Sequence, residues 1–111
     1  MTATDMMKAD SVQRQADGDP ATAALRGAIE AKLLVSVRYN QGISILAPYA
    51  TFLRHGDPYL RAVTVARDGR EPSRLKLGTF KLSGLSDLHV TPVPFSPSAL
   101  YRRIEGYKAN G

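Results

Sequence analysis

Apolar positions along this chain change their spacing once. Ala21, Ala24, Leu25, Ala28, Ile29 and Leu33 recur every three or four residues, with Arg26, Glu30 and Lys32 off the stripe. That spacing predicts an amphipathic helix to about Lys32. Asp19-Pro20 marks its start: an acceptor side chain at the N-cap, then proline where a missing N–H costs nothing. From Leu34 the period becomes two, as in strands. Val35, Val37 and Tyr39 alternate with Ser36 and Arg38, and Gln41-Gly42 reads as the turn. ISILAPYATFLR follows as a second strand, with an edge or a bend expected at Pro48. His55-Gly56-Asp57 is the next turn, PYLRAVTVAR the third strand, and Asp68-Gly69 a strong hairpin signal. SRLKLGTFKL reads as the fourth strand, with Gly78 permitting a bulge or sharp bend. LHVTPVPF is a shorter fifth whose two prolines predict another edge. In SPSALYRRIEGY, Ser96 as N-cap, Pro97 after it, and Leu100, Tyr101 and Ile104 on one side predict a short C-terminal helix.

Five short, bent strands laid flat would leave open edges, and curling removes most of them. The expected fold is therefore mainly β with flanking helices. It is a small five-stranded Sm- or SH3-like β-barrel preceded by one α-helix and followed by a short C-terminal helix, with an OB-like barrel as competitor. The expected organisation is a disordered tail at 1–19, a helix-plus-barrel domain at 20–96, and a short helix and tail at 97–111. The tail lacks apolar periodicity and is rich in Asp, Gln, Ala and Ser.

Composition narrows the chemistry. The chain has 111 residues, room for a single domain with a modest core. It has no Cys, which excludes disulfides, Cys-ligated zinc and thiol catalysis. No apolar run has signal-peptide or membrane-span length, so a cytoplasmic protein without membrane attachment is expected. The net charge of +5 is unevenly spread. Residues 1–20 carry Lys8 and Arg14 against Asp5, Asp10, Asp17 and Asp19, a net of −2, leaving +7 on residues 21–111. So basic a folded part favours anionic partners.

Seven of the cations fall between Arg54 and Leu82, within the third and fourth strands and their turns. Alternation places Tyr59, Arg61, Val63, Val65 and Arg67 on one strand face. A hairpin at Asp68-Gly69 would bring Arg61 or Arg67 near Arg74 and Lys76. Like charges opposed across a sheet destabilise it, and a bound anion would relieve that cost. Arg61, Arg74 and Lys76 are the candidate phosphate-binding residues, and Tyr39, Tyr49 and Tyr59 the candidate stacking platforms. The same pattern fits tyrosines packed by their apolar bodies and cations coating a solvated face.

The segments AIEAKLLVSVRYN, LAPYATFLRHGDPYLRAV and SRLKLGTFKL resemble the WYL domain of bacterial transcription regulators over about residues 25–95. Tyr39 falls at that family's first-strand Tyr, and Pro48-Tyr49 at its Pro-Tyr pair. Pro58-Tyr59-Leu60 stands where the family has Trp-Tyr-Leu, without the Trp. Arg74 matches the first Arg of the last motif, and Leu75, Lys76 and Leu77 follow its apolar-basic-apolar pattern. Gly78-Thr79-Phe80 replaces Asp-Arg-Ile, losing an acid and an Arg. The resemblance implies an Sm-like barrel that binds an effector, single-stranded nucleic acid in some members and a nucleotide in others. Residues 1–24 are too short and polar for the helix-turn-helix of such regulators, so a standalone module is expected.

No reaction is legible. His55 lies in a turn and His89 opens a strand, with no His, Asp and Glu cluster at metal-ligand spacing. Asp57, Asp68, Glu71 and Asp87 all fall in turns or loops. The expectation is a non-catalytic sensing module without metal or cofactor, recognising a nucleotide or single-stranded nucleic acid. The alternative is a small adaptor that docks a protein partner, or a second copy of itself, through a barrel edge or the C-terminal helix.

Overall fold

The computed structural model describes residues 19–104, so the expectations for residues 1–18 and 105–111 lie outside it. Helix α1, Pro20–Ala31, buries Thr22, Leu25 and Ala28. Asp19 holds the N-cap position, but its carboxylate makes no capping bond. Its main-chain carbonyl accepts instead, from the Ala23 N–H at 3.0 Å. Lys32 ends the helix in the left-handed region, φ 59°, and β1 starts at the next residue.

The strands are β1 (Leu33–Tyr39), β2 (Gly42–Arg54), β3 (Asp57–Arg67), β4 (Leu77–Lys81) and β5 (Ser86–Pro94). A 3-10 turn, Leu82–Gly84, precedes β5, and helix α2, Pro97–Arg102, follows it. The strands form one antiparallel, open sheet in the order β4-β3-β2-β1-β5. Three two-residue turns join or extend them: Asn40-Gln41 (φ 50° and 65°), His55-Gly56 (54° and 82°) and Asp68-Gly69 (50° and 81°). Positive φ at both central residues matches the right-handed twist of the flanking strands.

The sheet is strongly curved. Laid flat, five strands about 4.8 Å apart would hold the two edges about 19 Å from each other. Yet β4 and β5 are those edges, and only residues 82–85 join them. Even fully extended, that link reaches about 17 Å, and a 3-10 turn shortens it further. The Tyr39 ring, on β1, meets Phe80, on β4, edge-on at 5.3 Å between centroids, across the two intervening strands. The result is an open, curled five-stranded sheet; among the described residues no ladder joins its two edges.

Both faces carry a core. Leu25 and Ala28 of α1 pack with Val35, Val37, Leu46, Leu60, Ala62 and Leu82 on one face. Ala47, Val63, Leu75 and Ile104 pack on the other with Leu34, Phe95 and Leu100. The C-terminal segment therefore covers the second sheet face. Tyr49 pins it there, its hydroxyl donating to the Pro97 carbonyl at 2.7 Å.

Three details depart from the sequence reading, and a fourth, at Pro48, decides between its two alternatives. The first turn is Asn40-Gln41, not Gln41-Gly42, because Gly42 opens β2 opposite Tyr39. A Cβ on Gly42 would lie 2.8 Å from an Arg67 guanidinium nitrogen and 2.9 Å from the Asp68 carboxylate. At Pro48, where an edge or a bend is expected, the strand is central and the ladder shifts register between Pro48 and Ala50, which fits the bend. Gly78 makes no bulge and pairs regularly with Ala62. The fourth strand begins at Leu77 rather than Ser73, because Leu75 instead bridges Ile104 in parallel. The prolines of β5 do lie on an edge, as expected.

Gly42→Ala should push Arg67 off the Asn40 carbonyl, which its guanidinium contacts at 2.8 Å. Loss of about 1 kcal/mol, seen as a lower urea midpoint at unchanged slope, is the expected result. Burial, and secondarily the Tyr101 phenol, push the Tyr49 pKa above the ordinary tyrosine value of 10.0. A raised acid pKa means the neutral phenol is favoured in the folded state, so its contribution is present below pH 10 and is lost as pH rises through the shifted value. Tyr49→Phe should cost about 1 kcal/mol at neutral pH and flatten this alkaline loss of stability in a pH series of melts.

Candidate ligand-binding surface

β2 and β3 continue beyond the stretch that pairs with β1. β1 meets β2 only over Gly42–Leu46, whereas β2 and β3 remain paired to Arg54↔Asp57 at the His55-Gly56 turn. Residues directly opposite in a ladder share a face. The distal part of β2, β3 and β4 therefore presents three rows: Arg54 with Asp57, Phe52 with Tyr59 and Lys81, and Ala50 with Arg61 and Thr79. Leu60 between them turns to the opposite face and is buried in the first core.

The middle row is an aromatic pair under two cations. The Phe52 and Tyr59 rings stack with centroids 5.6 Å apart and planes inclined by 17°. The Arg54 guanidinium carbon lies 5.1 Å from the Tyr59 centroid and 5.5 Å from that of Phe52. Arg61 reaches Phe52 at 5.6 Å. Each such contact at an exposed site contributes about 0.5–1 kcal/mol. Lys81 faces Asp57 at 3.4 Å, both about half-exposed, so this pair adds little stability and stays open to exchange.

Of the six residues expected at the site, the structure brings together Tyr59 and Arg61. Tyr39 packs against the first core beside Phe80. Tyr49 lies in the second, with its hydroxyl engaged by Pro97 and its ring beside Phe95 and Tyr101. Both tyrosines do packing work at separate places. Arg74 and Lys76 are exposed but precede β4, and neither is without a partner. Register sets Thr79, not a cation, opposite Arg61. The expected ribbon of Arg61, Arg74 and Lys76 does not form, because the chain detours through residues 71–76 to the Leu75 bridge before β4 begins.

Phe52, Arg54 and Lys81 join the site without having been singled out from sequence. The signal was present: a two-residue turn at His55-Gly56 fixes Arg54 opposite Asp57, and hence Phe52 opposite Tyr59. Arg67, by contrast, is a structural clamp. It donates to the Asn40 carbonyl at 2.8 Å and to the Ser44 hydroxyl at 3.2 Å, while the Asp68 carboxylate accepts from the Ile43 N–H at 2.9 Å. Arg38 pairs with Asp87 at 3.1 Å on the surface.

Among the described residues no group of His, Asp and Glu could hold a metal ion, and no helix is long and apolar enough to cross a membrane. No protein-family model, curated protein or solved structure matches this chain.

Proposed function

We propose that this chain is a WYL-like sensing module of a bacterial, cytoplasmic regulatory system. Its fold would be an Sm-like barrel with open edges, and its task the non-catalytic recognition of a nucleotide or single-stranded nucleic acid. One helix followed by five antiparallel strands, curled so that four residues link the two edges, supports the barrel reading. The quoted likeness at Tyr39, Pro48-Tyr49, Tyr59-Leu60 and Arg74 supports the family reading.

The observation that carries the function is the stacked Phe52–Tyr59 pair with Arg54 and Arg61 over its rings. A base has a π-face that can replace a guanidinium on such rings. The displaced guanidinium can then fork onto a phosphate oxygen. Stacking and charge are thus available from neighbouring residues without any group moving far. The contacts on this surface are ring stacking and charge, which is why recognition is proposed.

The test is a titration of labelled single-stranded DNA, RNA and cyclic dinucleotides at several salt concentrations. Log affinity should fall linearly with log salt, and Arg54→Ala or Arg61→Ala should each reduce the slope for a single strand by about 0.7. Tyr59→Ala should cost about 1–3 kcal/mol. Absence of binding to all three ligands would remove this reading and leave the protein-adaptor alternative.

A further inference from the structure

The ion pair beside the stacked rings has a chemistry that ring stacking and phosphate binding leave unused. Lys81 stands directly opposite Tyr59 in the β3–β4 ladder. Asp57 precedes Tyr59 by two residues in β3, and so shares its face. Their charged ends meet at 3.4 Å, the Lys81 ammonium against Asp57 Oδ2, with both side chains about half exposed. The Tyr59 ring is thus bordered by Phe52 at 5.6 Å, by the Arg54 guanidinium at 5.1 Å, and by positions carrying one carboxylate and one ammonium.

A carboxylate is out of place on a surface that serves phosphate alone. Arg54, Arg61 and Lys81 attract an anion, and Asp57 works against all three. Its half-exposed ion pair adds little stability to offset that. A carboxylate accepts hydrogen bonds and donates none, while an ammonium does the reverse. Side by side, the two suit a ligand edge on which donors lie next to an acceptor.

We infer that Asp57 and Lys81 read the edge of a guanine base stacked on Tyr59, and so set which base this surface prefers. The inference rests on the nucleotide or single-strand recognition proposed above. Guanine presents two adjacent N–H donors, at N1 and N2, with the O6 acceptor beside them. The donors match the two carboxylate oxygens, and O6 matches the ammonium. Adenine instead turns the lone pair of N1 toward a carboxylate. Cytosine has one amino donor followed by two acceptors, and thymine or uracil one N–H between two carbonyls. Of the common bases, guanine alone satisfies both heads at once. In the free protein the two charges neutralise each other, and guanine exchanges their contact for hydrogen bonds without stranding either. The phosphate attached to the base falls to Arg54 or Arg61.

The experiment measures binding of labelled oligothymidine strands carrying guanine, hypoxanthine, adenine or cytosine at the centre, at one fixed salt concentration. The guanine strand should bind about tenfold tighter than the adenine and cytosine strands. Hypoxanthine, which keeps N1–H and O6 but lacks the N2 amine, should fall between. Asp57→Ala should bring the guanine and adenine strands to within about twofold of each other. Affinity for the adenine strand should hold or rise, since a negative charge is lost. Asp57 is exposed, so this variant should melt close to the wild type. Guanosine monophosphate should displace the guanine strand where adenosine monophosphate does not. Displacement at the strand's own midpoint concentration marks a nucleotide site, and displacement only far above it a strand site. Equal binding of all four strands overturns the inference while the proposed function stands. So does equal affinity for guanine and hypoxanthine, or a guanine preference that survives in Asp57→Ala. Failure of every strand to bind removes the proposed function and this inference together.

Discussion

The ladder between β2 and β3 sets the rest of this structure. It runs from Ser44↔Arg67 to Arg54↔Asp57, far longer than the stretch β1 offers. Its proximal half is roofed on one side by α1 and on the other by the chain around α2. Its distal half loses β1 as a neighbour, and there Phe52, Arg54, Tyr59 and Arg61 face outward. One hydrogen-bonded register thus supplies both the packed centre and the open surface. A slip by one residue would exchange Tyr59 and Arg61 with Leu60 and Ala62, burying charge and exposing the core.

Local chemistry accounts for what the sequence disclosed. Pro20 and Pro97 mark the two helix starts, while His55-Gly56 and Asp68-Gly69 supply the positive φ that tight turns require. Alternation assigned Leu60 and Ala62 inward and Arg61 outward. Non-local packing accounts for what it did not disclose. Tyr59 through Arg67 reads as one face, but Val63 is fully buried because Leu75 and Ile104 reach it from distant positions. Nothing near Val63 in the sequence announces that cover.

The tyrosines illustrate the same limit. Tyr39, Tyr49 and Tyr59 occupy equivalent-looking places in alternating strands, yet they have three different surroundings. Curvature takes Tyr39 onto Phe80, the returning α2 segment takes Tyr49, and only Tyr59 is left beside cations. The cations divide similarly. Arg67 ties one turn to another through Asn40 and Ser44, while Arg54 and Arg61 lie on aromatic rings. A basic composition is therefore several unrelated solutions to local problems, and its sum says little about any one of them.

Pairing of β5 with β1 has a further consequence for how the molecule is made. Val35 pairs with Val90, and the Lys32 carbonyl accepts from the Phe95 N–H at 2.9 Å. During synthesis β1 emerges early, and one whole side of its backbone has no native partner until β5 follows. The hairpins can form as they appear, but the complete five-stranded sheet waits for nearly the whole described chain. Assembly is consequently governed by its latest contact, the slow regime expected when distant segments must meet.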